Sequence, residues 1–265
     1  MRKFLALLLV LSMVVLALAA CGTASADPAE TKGNETKDNE TTETKDAEDG
    51  VMTHAEYEAA ELEAAVVVET YVQAKQSWWD NKATVYAQSE DGAYFLYNMA
   101  CSEADYAKLT PGTKIRVSGH KAEWAGEVEI IEATFEILEG SFVATPKDVT
   151  ALLGTDDLIK HQNELVSFKG MVVVGSEVEG EETPRAFLYK HDNSGTQGDD
   201  LYFKVSDGKN TYRFTVESYL CGKDTDVYKA VEGLTVGDKI DMTGFLYWYN
   251  GVNPHITGVT VVPAE

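Results

Sequence analysis

One short phrase occurs twice in the chain and limits what it can fold into. Leu109-Thr110-Pro111-Gly112-Thr113-Lys114-Ile115-Arg116-Val117-Ser118-Gly119 returns as Leu234-Thr235-Val236-Gly237-Asp238-Lys239-Ile240-Asp241-Met242-Thr243-Gly244. The Leu, Thr, Lys, Ile and both Gly positions are identical, and Ser/Thr and Val/Met are close substitutes. A glycine turn entering an alternating strand, repeated 125 residues apart, marks a duplicated unit. Each remaining feature of one half can therefore be compared with the other.

The ends of the chain lie outside the repeat. Arg2-Lys3 precedes an almost wholly apolar run from Phe4 to Leu18, and Leu18-Ala19-Ala20-Cys21 follows. This is the layout of a secretory signal, too short for a spanning helix. The Leu-Ala-Ala-Cys ending resembles the bacterial lipobox. That resemblance implies that Cys21 is lipidated, becomes the mature N-terminus and anchors the protein to a bilayer on its extracytoplasmic face. From Asp27 to Gly50 nine acids face three lysines with no aromatic residue, cycling through Glu-Thr-Lys units. Such a segment cannot bury enough apolar surface to order itself, so residues 22–50 read as a disordered acidic tether.

The acidity continues through both halves. Residues 51–140 carry sixteen acids against six bases, and residues 141–265 nineteen against eleven. Charge of this sign repels phosphate backbones, so nucleic acid is not expected as a partner. Cys101 and Cys221 occupy corresponding places in the halves, and free buried thiols are expected there rather than a bridge. No Cys-x-x-Cys occurs, so neither zinc nor thioredoxin-like chemistry is indicated.

Read in register, residues 51–140 and 141–265 form two domains. Thr53-His54-Ala55-Glu56 and Thr145-Pro146-Lys147-Asp148 each place a hydroxyl three residues ahead of an acid. They predict helices over Tyr57 to about Ala64 and Val149 to about Leu158. Valine-rich first strands follow, Ala65–Gln73 and Leu165–Val174. Second and third strands flank Asp91-Gly92 and Asp207-Gly208, a strong hairpin signal. A short helical segment then precedes the repeated phrase, whose Ile115-Arg116-Val117 and Ile240-Asp241-Met242 alternate as a fourth strand. Fifth strands are expected over Glu127–Ile131 and Val252–Val262. Three strands, a short helix, a glycine-led fourth strand and an aromatic hairpin resemble the OB-fold. The resemblance implies an all-β chain with short helices, built as two tandem five-stranded Greek-key barrels.

OB-folds bind on the face of strands two and three, framed by the loops that join strands one to two and four to five. The resemblance directs attention to Trp78 and Trp79 in the first of these loops, and to Trp124 in the last hairpin of the first barrel. Trp248 and Tyr249 lie in the matching hairpin, with Tyr249 as far beyond Gly244 as Trp124 is beyond Gly119. Flat rings beside Asp, Asn and Glu can stack on sugars, apolar side chains or bases. Because adjacent strand residues point to opposite faces, one of Trp78 and Trp79 should be exposed. The acidic insertion Gly175–Asp200 gathers oxygens that could hold Ca2+, but it lacks the spacing of a calcium loop and reads better as a solvated loop. No catalytic or metal motif occurs: no His-Glu-x-x-His, Gly-x-Ser-x-Gly or Gly-Lys-Ser is present, and no cofactor is expected. The expected function is a lipid-anchored, non-enzymatic binding module for an envelope glycan, a peptide or protein, or a small molecule. The alternatives are a structural or assembly spacer of the envelope, and single-stranded nucleic-acid binding.

Overall fold

The computed structural model describes residues 50–263. Cys21, the apolar leader and the acidic segment as far as residue 49 lie outside the described residues, none of whose helices is long and apolar enough to cross a membrane.

Helix α1 (His54–Ala59) starts as expected. Thr53 Oγ1 accepts from Glu56 N, and the Glu56 carboxylate accepts from Thr53 N at 2.7 Å. It stops earlier than predicted because Ala60 turns extended. Its last carbonyls are taken by a buried ammonium: Lys121 Nζ donates to the carbonyls of Tyr57, Glu58 and Ala60 at 2.8–3.0 Å. A charge can be buried there because all three donors are satisfied.

Strands β1 (Ala65–Lys75), β2 (Lys82–Gln88) and β3 (Ala93–Ala100) are followed by the single-turn α2 (Glu103–Tyr106). β4 (Thr113–Trp124) and β5 (Glu127–Ser141) then complete a closed barrel of order β1-β2-β3-β5-β4, in which β3 and β5 pair in parallel. Its core is built from inward residues such as Val68, Val85, Leu96, Ile115 and Ile130. β5 runs ten residues past its expected end. Glu132 adopts a left-handed conformation (φ +51°) that interrupts the alternation, and the inward pattern resumes at Ala133.

The start of the second half differs from expectation. Thr145-Pro146 begins no helix; β6 (Lys147–Asp148) instead pairs in parallel with Val166 and Ser167. The Asp148 carboxylate accepts from Thr150 N and Oγ1, turning the chain into two 3-10 turns, Thr150–Leu152 and Leu158–His161. Gly154, at φ +77°, and the polar Thr-Asp-Asp run after it prevent these from joining into one helix. Beyond this point the order of the first barrel returns: β7 (Leu165–Val174), β8 (Phe187–Tyr189), β9 (Leu201–Ser206), β10 (Thr211–Val216), α3 (Asp226–Glu232), β11 (Lys239–Phe245) and β12 (His255–Val261). β7, β11, β12, β10 and β9 pair in that order, and β9 returns to β7 to close the ring, with β6 and β8 added at its margins. The parallel pair β10–β12 corresponds to β3–β5. The chain is thus all-β with short helices, two tandem five-stranded OB-type barrels.

The repeated glycines serve two needs. Gly112 and Gly237 take φ +91° and +98° in the turn before the fourth strand. Gly119 and Gly244 close the phrase at β-bulges where no side chain fits. A Cβ would fall 2.7 Å from Ile131 O in one barrel and 2.3 Å from His255 O in the other.

Each barrel has its own core, and a third cluster joins them. Tyr86 and Phe95, on the outer face of β2–β3, pack with Phe245 and the half-buried Leu165, Leu220 and Tyr247 of the second barrel. The Tyr86 and Phe245 rings stack at 4.3 Å. Gln73 holds the connecting segment, accepting from Ala144 N at 2.9 Å and donating to Phe142 O at 3.2 Å. Cys101 and Cys221 are buried free thiols, and burial pushes the Cys221 thiol up to about 11.

Candidate ligand cleft between the barrels

Docking of the second barrel covers only part of the β2–β3 face. The uncovered part floors a cleft of about 430 Å³, lined from the first barrel by Gln76, Trp79, Lys82, Thr84, Tyr97 and Asn98 among others. The opposite wall is Glu217 and Tyr219, just after β10, with Tyr247 and His255 around the β11–β12 connection. The local backbone explains the shape. The β2–β3 register slips between Ala83 and Val85, and Asn98 sits at φ +49° with its N–H donated to Thr84 Oγ1 at 3.1 Å. That bulge shifts the register at the cleft, and pairing resumes beyond it at Ala83–Met99 and Lys82–Ala100.

Hydrogen bonds across the barrels fix the walls. Ser77 N donates to Tyr219 O at 2.7 Å, and Gln76 Nε2 donates to Glu217 Oε2 at 2.8 Å. Tyr86 OH bonds His255 Nδ1 at 2.7 Å. Burial holds the Tyr86 phenol protonated and pushes His255 down to about 3, so the phenol donates to a neutral imidazole. The imidazole stacks on Tyr247 at 4.3 Å, and its Nδ1 lies 3.7 Å from Glu217 Oε2. Burial, with Asp200 nearby, pushes Glu217 up to about 8. At neutral pH the cleft therefore presents a protonated carboxyl and a neutral histidine beside aromatic rings.

The five ring residues singled out from sequence separate in space. Trp79 is 69% exposed and lines the cleft. Its neighbour Trp78 is half-buried, its indole N–H bound to Cys101 O at 3.0 Å. Trp124, Trp248 and Tyr249 belong to the two corresponding hairpins, which abut each other. Asn250 N donates to Ala125 O at 2.7 Å, and Gly126 lies against the Trp248 ring. Trp248 packs on the second core, while Trp124 and Tyr249 remain 62% and 52% exposed beside that seam. Of the five, Trp79 alone lines the cleft; the rest of its lining, including Gln76, Tyr97, Asn98, Glu217, Tyr219 and Tyr247, was not among the ring residues singled out from sequence. Tyr97 did carry a signal. Phe95 and Tyr97 are alternate residues of β3, on the strand pair where OB-folds bind, opposite in parity to the core residues Tyr94 and Leu96.

The acidic insertion has its own partners. Glu181 pairs with Arg185, which also donates to Asn193 Oδ1. Asp192 accepts from Ser194, and Asp200 accepts from Ser218 N and Oγ. Among the described residues no three His, Cys, Asp or Glu side chains converge as a metal site would require.

No protein-family model matches the chain, and no curated protein does. Solved structures do resemble it. The p204 HINb domain matches with a TM-score of 0.35 and 13% identity, over 77% of this chain and 100% of that one. A murine DNA-binding protein bound with double-stranded DNA matches at 0.33 and 13% identity, over 75% of this chain and 96% of that one. The Ifi202 HINa domain in complex with 20-bp dsDNA matches at 0.33 and 13% identity, over 75% and 98%. Likeness at this identity concerns the fold. It also corrects one expectation: nucleic acid was not expected as a partner on grounds of charge, yet two of these similar chains were solved on DNA.

Proposed function

We propose that the chain is a lipid-anchored, extracytoplasmic binding module. In this reading Cys21 carries the lipid, residues 22–50 act as the tether, and the paired barrels bind a ligand without transforming it. The ligand is a saccharide of an envelope glycan. The observation that carries this reading is the make-up of the cleft: Trp79, Tyr97, Tyr219 and Tyr247 surround Gln76, Asn98 and Glu217. Aromatic faces stack on the apolar faces of sugar rings, and amides with a protonated carboxyl match hydroxyl groups in both donor and acceptor roles. A second reading, single-stranded nucleic acid, is favoured by Lys82 in the same cleft and by the location of the rings on the β2–β3 face.

Titration of the full chain with envelope glycan fragments and with single-stranded oligonucleotides, followed by tryptophan fluorescence, separates the two. Saturable quenching by glycan is expected, with Trp79→Ala weakening binding roughly tenfold or more, within the range for losing one stacking ring. Saturable quenching by oligonucleotide alone would move the assignment to the second reading. Binding to neither would leave the spacer role, in which a protein partner covers the rings. The anchor is checked by mass spectrometry of the mature N-terminus, expected as a diacylated or triacylated Cys21.

A further inference from the structure

Two cations sit side by side on the outer face of the second barrel without a carboxylate to separate them. On β9 and β10 the side chains of Phe203, Val205, Phe214 and Val216 enter the core, so Tyr202, Lys204, Arg213 and Thr215 belong to the outward rows. Lys204 and Arg213 are direct cross-strand partners, as are Tyr202 and Thr215. Like charges set opposite each other destabilise a sheet. Other bases of this barrel are paired: Lys169 with Asp241, Arg185 with Glu181 and Lys190 with Asp199. Among the described residues no carboxylate lies within ion-pair distance of Lys204 or Arg213, although the chain has 44 acids for 22 bases. Asp207, at the tip of the same hairpin, is taken by the N–H groups of Lys209 and Asn210 at 2.8 and 2.7 Å. The Arg213 guanidinium lies 5.9 Å from the centre of the Tyr202 ring.

We propose that Lys204 and Arg213 hold a phosphate group, and that the ligand of the cleft is a phosphorylated glycan long enough to reach both places. That the ligand is a glycan rests on the saccharide reading of the cleft, whereas the phosphate site stands on the cation pair. A phosphate monoester carries a charge of about −1.5 to −2 at neutral pH, which balances two adjacent cations; a carboxylate balances only one. The planar Arg213 fork meets two phosphate oxygens, and the Lys204 ammonium adds a point charge. The placement suits a polymer that spans both sites. Arg213 and Thr215 alternate along β10, and the next position in that row is Glu217, a wall of the cleft. Four residues of extended chain cover about 13 Å. Between the two ends lie the Tyr202 ring and Asn253, whose Oδ1 accepts from Thr215 Oγ1 at 2.9 Å. Neither is a cation. A nucleic-acid strand carries a phosphate at every nucleotide and would need positive charge along this stretch. A glycan can carry one phosphate among several neutral sugars.

Titrations of the full chain test the two parts separately. With inorganic phosphate, the backbone amide resonances of Lys204 and Arg213 are expected to shift saturably, and to stay still in the double variant Lys204→Thr, Arg213→Thr. Threonine suits a strand and removes the repulsion, so this variant is expected to melt no lower than the wild type. Absence of a saturable shift, or an equal shift in the variant, overturns the phosphate site whatever the cleft binds. The second titration uses oligomers of N-acetylglucosamine and their phosphorylated counterparts, followed by tryptophan fluorescence. The phosphorylated form is expected to bind roughly tenfold more tightly, within the range for charged hydrogen bonds. This advantage should shrink as salt rises and vanish in the double variant. Neither residue lines the cleft, so the neutral oligomer should bind the variant as it binds the wild type. Equal affinity for the two forms, or an advantage that survives in the variant, overturns the phosphorylated glycan. A single-stranded oligonucleotide that binds the wild type but not the variant overturns it in favour of nucleic acid. Binding of neither oligomer, with the phosphate shift present, defeats the saccharide reading and the glycan with it, but upholds the phosphate site.

Discussion

At the scale of single residues, the repeated phrase is scaffold, and its glycines show why. Gly244 cannot accept even a methyl group, because a Cβ would meet the His255 carbonyl at 2.3 Å and Ile256 Cα at 2.8 Å, both backbone atoms that cannot swing aside. Gly244→Ala is expected to cost about 3 kcal/mol through overpacking, measured by denaturant unfolding. Gly222 is the control. The nearest neighbour of a Cβ there is 3.7 Å away, so Gly222→Ala should leave the unfolding midpoint almost unchanged. His255 follows Pro254 at the start of β12 and lines the cleft, so a backbone pushed away from Gly244 would also displace a cleft wall. The glycine thus links the strand pairing to the shape of the site.

At the scale of elements, α1 shows how far a short helix depends on a distant side chain. Six residues cannot sustain a helix alone. The Thr53–Glu56 box closes one end, and the Lys121 ammonium from β4 closes the other through three carbonyls. Lys121→Met keeps most of the apolar stem but leaves those carbonyls without a donor. A loss of about 2 kcal/mol is expected, with faster amide exchange at Ala60, whose N–H bonds Glu56 O and Tyr57 O. The start of α1 was legible in the sequence because its capping signal is local. Its end was not, because Lys121 is more than sixty residues away. The same division holds for the second half. Thr145-Pro146-Lys147-Asp148 has the local form of a helix start, but pairing of Lys147 and Asp148 with β7 overrides it. The hairpins and the order of strands were legible, since Asp-Gly turns and alternating apolar residues are signals within a few positions. The cleft was legible in Trp79, and in Tyr97 through its parity on β3. Its far wall exists because Phe245 and Leu220 dock on Tyr86 and Phe95, a contact that no short-range pattern encodes.

At the scale of the whole molecule, the joint between the barrels concentrates groups whose protonation opposes their ordinary behaviour. Burial pushes Glu127 and Glu217 up to about 8 and Glu129 up to about 7, while it pushes His255 down to about 3. The three acids bind protons more tightly in the folded state than in the unfolded chain. Their contribution to stability is complete below the ordinary carboxylate range, and is lost as pH rises through 7 to 8. His255 acts in the opposite sense. It is neutral when folded and free to charge when unfolded, so its contribution is present above the ordinary histidine range and is lost as pH falls towards 3. Where the windows overlap, between the ordinary carboxylate and histidine values, three groups outweigh one and stability should fall as pH rises. The formal net charge of −22 acts in the same direction, because self-repulsion grows as the remaining carboxylates ionise. The melting temperature is therefore expected to peak near pH 5 and to decline steadily to pH 9, unlike a protein whose buried carboxylates are ion-paired. Calorimetric scans at constant ionic strength measure the profile. A single Glu217→Gln substitution should flatten its upper limb, since the amide keeps the Gln76 contact without a proton to lose, and an unchanged slope would show that Glu217 is already ionised in the folded cleft.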